Sequence, residues 1–115
     1  MALIDLQGAL RATGYNAEVS GQFVVFPFLV PIGGHAGETV RIGLTGADFP
    51  INPPGGVHVS PRIIHPGGSA DHASGLGAEW VYWSRPYPDW ASSRRSIGDY
   101  LAFLRRLFAL FEAEA

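Results

Sequence analysis

From Asp48 to Gly75 the chain reads DFPINPPGGVHVSPRIIHPGGSADHASG, and no other stretch constrains the fold as much. Pro50, Pro53, Pro54, Pro61 and Pro66 each lack a backbone donor and fix φ, so neither a helix nor a long central strand can run through it. In a chain of 115 residues the regular elements must therefore come mainly from the flanks. Within the stretch only VHVS alternates, and it reads as a short strand. The same stretch carries His58, His65 and His72, which leaves His35 as the one histidine outside it.

The flanks supply a helix, a meander and a second helix. Residues 2 to about 13 place Leu3, Leu6 and Leu10 on one helical face, with Gly14 as a stop. NAEVS is a short strand, followed by a turn at Gly21 and the dense apolar run FVVFPFLV from Phe23 to Val30. Pro27 within that run predicts an edge position or a bulge. PIGGHAG is a hairpin loop, and TVRIGLT alternates with Val40, Ile42 and Leu44 on one face. At the far end Ser96 caps a helix over 97–111, with Asp99 completing a weaker capping box. Ile97, Tyr100, Leu101, Leu104, Leu107, Phe108 and Phe111 line its apolar face, widened by Phe103 and Leu110, while Arg105, Arg106 and Glu112 take the solvent side. The resulting class is α+β in a single domain, 1–115.

Composition excludes several functions. There is no cysteine, which removes disulfides, thiolate catalysis and thiolate metal ligation. A net charge of −2 gives no electrostatic reason to expect nucleic acid or an anionic membrane as partner. No apolar run is long enough to cross a bilayer, and the start lacks the layout of a signal peptide, so a cytoplasmic protein is expected. Charged residues are only 16%, which leaves apolar surface for a partner. All 8 basic residues are arginine. Codon bias in a GC-rich genome explains this, as does avoidance of acceptor amines on a protein that handles activated acyl groups. Trp80, Trp83, Tyr87 and Trp90 exceed what a small core needs on one segment, so some are expected over the loop or at a partner surface.

The motifs FPINPP, RIIHPG and WSRP, in that order, resemble those of the ubiquitin-conjugating E2 family. Phe49, Pro50, Pro53 and Pro54 match the family's Tyr-Pro-x-x-Pro-Pro turn with Phe for Tyr. His65, Pro66 and Gly67 stand at its His-Pro-Asn, about one residue further on than is usual. Trp83, Ser84 and Pro86 stand at its Trp-Ser-Pro with one residue inserted. VPIGGHAGETVRIGL is similar to the Gly-Gly hairpin before the family's third strand, and the resemblance runs from about Gly21 to Leu110. It implies a minimal UBC-like fold of the kind found in bacterial relatives: an antiparallel four-stranded meander with an N-terminal and a C-terminal helix.

The resemblance also implies a site, with two departures. Gly67 replaces the Asn that steadies the loop and the oxyanion. The active cysteine is absent, and counts from His65 and from Trp83 both land on Ser74 or Gly75. Serine needs a base to become a nucleophile, and His72 lies two residues before Ser74. By this resemblance Ser74 holds the modifier as an oxyester, His72 is the base, His65 holds the loop, Asp89 orients the incoming amine and loop N–H groups form the oxyanion hole. Ser69 is the rival nucleophile. The implied partners are a ubiquitin-like protein and an E1-like activating enzyme, met by the first helix, whose exposed side carries Asp5, Gln7 and Arg11. No cofactor or metal is expected: His58, His65, Asp71 and His72 lack a tight ligand pair, and His58 sits on a strand. Alternatively the chain is a non-catalytic E2 variant that binds a ubiquitin-like protein or a partner E2, or a small α+β protein outside the family.

Overall fold

A computed structural model describes residues 2–46, 49–63, 71–84 and 90–111. Helix α1 (Ala2–Ala12) ends at Gly14, whose φ of +100° is left-handed and costs a glycine little. Strands β1 (Glu18–Ser20), β2 (Phe23–Leu29), β3 (Thr39–Thr45) and β4 (Gly55–Ser60) follow as an antiparallel meander. Two short strands, β5 (Asp71–Ala73) and β6 (Val81–Trp83), extend the sheet to six strands in the order β1-β2-β3-β4-β6-β5. Helix α2 (Ile97–Ala109) closes the described chain. The expected four-stranded meander is thus present and enlarged: the Pro/Gly stretch ends in a strand whose partner is VYW, and β6 pairs with β4 on one side and β5 on the other.

Pleating explains which face is core. Val24, Phe26 and Phe28 of β2, Val40, Ile42 and Leu44 of β3, Val57 and Val59 of β4, and Val81 and Trp83 of β6 point to one side and form a single buried cluster with both helices. Leu6 and Leu10 of α1 are fully buried there, each contributing about 1.5–3 kcal/mol on the usual transfer scale. From α2, Ile97, Tyr100, Leu101, Phe103, Leu104, Leu107 and Phe108 are buried. Leu110 was expected on that stripe. The helix stops at Ala109, Leu110 is the C-cap, and its side chain is exposed. At the other end the capping box is complete: the Asp99 N–H donates to Ser96 Oγ at 3.2 Å and the Ser96 N–H donates to Asp99 Oδ2 at 3.2 Å.

Pro27 sits in β2 without breaking the sheet because β1 pairs only as far as Glu18 opposite Val25. Beyond that point β2 is locally an edge, so the missing N–H leaves no ladder partner unpaired. The turn after β2 docks on α2. Gly33, with φ +90°, lies so close to the Phe108 carbonyl that no side chain fits there, and the Gly34 N–H donates to the Phe111 carbonyl at 3.0 Å. Trp80, Trp83 and Trp90 are buried rather than displayed, while Tyr87 lies outside the described residues. The Trp83 and Trp90 indole N–H groups donate to the carbonyls of Ile63 and Pro50, both at 2.9 Å. Among the described residues no helix is long and apolar enough to cross a membrane.

Candidate functional site

Strand register assembles the site on the sheet face away from the helices. Val25, Gly43, His58, Tyr82 and His72 are successive partners across β2, β3, β4, β6 and β5. Val57 and Val59 face the core, so pleating turns His58 to the other face. The loop 74–80 between β5 and β6 folds back over that face. Its Leu76 side chain comes within 2.5 Å of where a Cβ on Gly43 would stand, so glycine at 43 provides the notch that receives it. This cover explains why β3 stays buried at Gly43, where strict alternation calls for exposure.

His58 is enclosed at 7% exposure. Its ring stacks on Tyr82 at 4.6 Å and 13°, and Phe23 meets it edge-on at 4.8 Å. His58 Nδ1 lies 2.7 Å from Ser74 Oγ. Burial lowers the His58 pKa from its ordinary value, which favours neutral imidazole. The Leu76 N–H donates to Ser74 Oγ at 3.0 Å, occupying one acceptor direction of that oxygen. The consistent arrangement has the Ser74 hydroxyl donating to an unprotonated Nδ1 while the amide donates to Oγ. Such a hydroxyl is aligned with a base that can take its proton as Oγ attacks an electrophile.

The structure brings Ser74 to His58, not to the histidine nearest in sequence. His72 lies on β5 with its side chain exposed, 5.9 Å from the Tyr82 ring on the opposite side from His58. The imidazole beside the Ser74 hydroxyl is thus that of His58, where His72 was expected. Sequence reasoning placed His58 on a strand but not beside Ser74. The face of His58 was legible in the VHVS alternation, yet the contact spans 16 residues and depends on the register of β6 between β4 and β5. His65, Asp89 and Ser69 lie outside the described residues. So does Gly67.

A pocket of about 400 Å³ opens beside the serine, lined by Arg62, Ala73, Ser74, Gly77, Ala78 and Trp80. Arg41 lies over the Trp80 ring at 5.1 Å, which holds that wall against the sheet. Among the described residues no three His, Asp or Glu side chains gather as metal ligands would. No family model matches this chain, and no curated protein or solved structure does. The chemistry of the site rests on its own geometry: a hydroxyl, a neutral base, an amide donor and a pocket with one cation.

Proposed function

We propose that this protein is an E2-like carrier in a bacterial ubiquitin-like conjugation pathway, holding the modifier's C-terminus as an oxyester on Ser74 with His58 as general base. The observation that carries the reading is the 2.7 Å contact between His58 Nδ1 and Ser74 Oγ. It gives the residue at the place of the family's cysteine the partner a serine needs. The order of the FPINPP, RIIHPG and WSRP motifs supports the same reading, and so does a chain without lysine, which offers no side-chain amine for self-modification. An oxyester is less reactive toward amines than a thioester, so transfer from this carrier is slow and the loaded state long-lived.

The test is loading by an activating enzyme with ATP and its ubiquitin-like protein, taken from neighbouring genes. The expected adduct resists thiol reductants and is cleaved by hydroxide. Ser74→Ala abolishes it, Ser69→Ala and His72→Ala leave it, and Ser74→Cys makes it thiol-sensitive. His58→Asn, which keeps a hydrogen-bond acceptor but no base, slows loading about 10²–10⁴-fold. A second reading, a non-catalytic E2 variant that binds a ubiquitin-like protein or a partner E2, is favoured by the hydrogen bond that the Leu76 N–H donates to Ser74 Oγ, which makes that oxygen part of a local turn. Absence of an adduct from wild type, where the activating enzyme itself charges, selects that second reading.

A further inference from the structure

We propose that the Ser74–His58 pair also acts without an activating enzyme, as an esterase that takes small anionic acyl groups from activated esters and passes them to water. The inference shares its nucleophile and base with the carrier reading, but it needs neither modifier nor ATP.

Three features carry it. The first is the hydroxyl–imidazole contact of 2.7 Å, which joins nucleophile and base before any partner binds. The second is the pocket of about 400 Å³. That is near the lower end of small-molecule sites, and Ala73, Gly77 and Ala78 in its lining leave room for a short unbranched chain against Trp80. The third is Arg62 in the same lining. A guanidinium matches a carboxylate with two parallel donors. A short acyl chain ending in a carboxylate fits this combination.

The reaction balances with water as the sole co-reactant. Ser74 Oγ attacks the ester carbonyl and its proton passes to His58 Nδ1. The tetrahedral intermediate collapses, the alkoxide leaves, and His58 returns the proton to it, giving an acyl-Ser74 ester and a free alcohol. Water then attacks that ester, gives its proton to Nδ1, and Ser74 Oγ departs and recovers it, releasing the carboxylic acid. The Leu76 N–H, held at 3.0 Å from Oγ, is a donor beside the carbon that Oγ attacks, and the oxyanion forms on that carbon.

The probes are the p-nitrophenyl half-ester of adipic acid and p-nitrophenyl hexanoate, matched in length and different in terminal charge. Wild type is expected to release nitrophenol above the buffer rate and to carry the acyl mass on Ser74 when quenched early. Ser74→Ala removes both signals, and His58→Asn lowers the rate about 10²–10⁴-fold while still melting cooperatively. The half-ester exceeds hexanoate in kcat/KM by up to about fivefold, as suits an exposed ion pair, and Arg62→Gln removes the preference. Rates equal in wild type and Ser74→Ala, with both folded, overturn the inference. A modifier adduct in that same preparation leaves the carrier reading standing. Equal rates for the two esters, unchanged in Arg62→Gln, overturn the assignment of an anionic acyl group. Acylation by esters without any modifier adduct upholds the inference and removes the carrier reading.

Discussion

An imidazole pressed between a phenol ring and a phenyl edge has given up water, and the charged form suffers most from the loss. That is the state of His58 between Tyr82 and Phe23. Its folded pKa lies below the ordinary value of 6.5, so the unfolded chain takes up a proton that the folded chain resists. The contribution to stability is intact above about pH 6.5 and is lost as pH falls from there toward the folded pKa. The thermal midpoint is expected to drop on acidification below pH 6.5 and to drop less steeply in His58→Asn; parallel curves for the two proteins contradict this. The acid limb of Ser74 acylation is expected to have its midpoint below the same value, since the base stays neutral there. At this scale Ser74 became a candidate through the resemblance, by counts from His65 and from Trp83 that land on Ser74 or Gly75. Its partner was not legible, because His72 is near in sequence whereas His58 is brought near only by pairing across β6.

The loop 74–80 and strand β3 meet at one small notch. Leu76 occupies the space beside Gly43, and the amide of that same leucine holds Ser74 Oγ. Gly43→Ala puts a methyl 2.5 Å from Leu76 Cδ1, so the leucine must move. The expected cost is about 1–3 kcal/mol, together with slower acylation of Ser74. Leu76→Ala removes the obstructing atoms, so the two substitutions are expected to couple by about 0.5–3 kcal/mol in a double-mutant cycle followed by denaturant unfolding. Additive losses contradict the seating of Leu76 in the Gly43 notch. Among the elements, both helices and strands β2, β3 and β4 carry clear signals: the Leu3, Leu6, Leu10 face, the FVVFPFLV run, the TVRIGLT and VHVS alternation and the Ser96–Asp99 box. The β5–β6 pair does not. Three residues per strand are too few to show a period, and the Gly-, Ser- and Ala-rich loop between them hides its packing role until Gly43 is seen beneath it.

Among the described residues, one sheet face packs against two helices and the loop 74–80 covers part of the other. Helix α1 shows how little charge is left for a partner. Gln7 Nε2–H and Arg11 Nε–H both donate to the Ala17 carbonyl, at 3.1 and 2.9 Å, and Arg11 reaches Glu18 at 3.8 Å. Asp5 and the exposed Ile4 remain. If an activating enzyme docks on this helix, its affinity is expected to fall by no more than about twofold between low and physiological salt, and a steep loss in a titration contradicts that. The α+β class was legible from the order of the patterns, but the sixfold sheet was not, for want of any long-range register in a linear pattern. The turn at Gly33 and Gly34 carries a temporal consequence. During synthesis β2, its turn and β3 emerge before any of α2 exists, and the Gly34 amide must wait for the Phe111 carbonyl. The amide then stays shielded from deuterium only as long as Phe111, two residues past the end of α2, stays docked on the turn, so a glycine in a hairpin clocks the release of the segment that follows a helix.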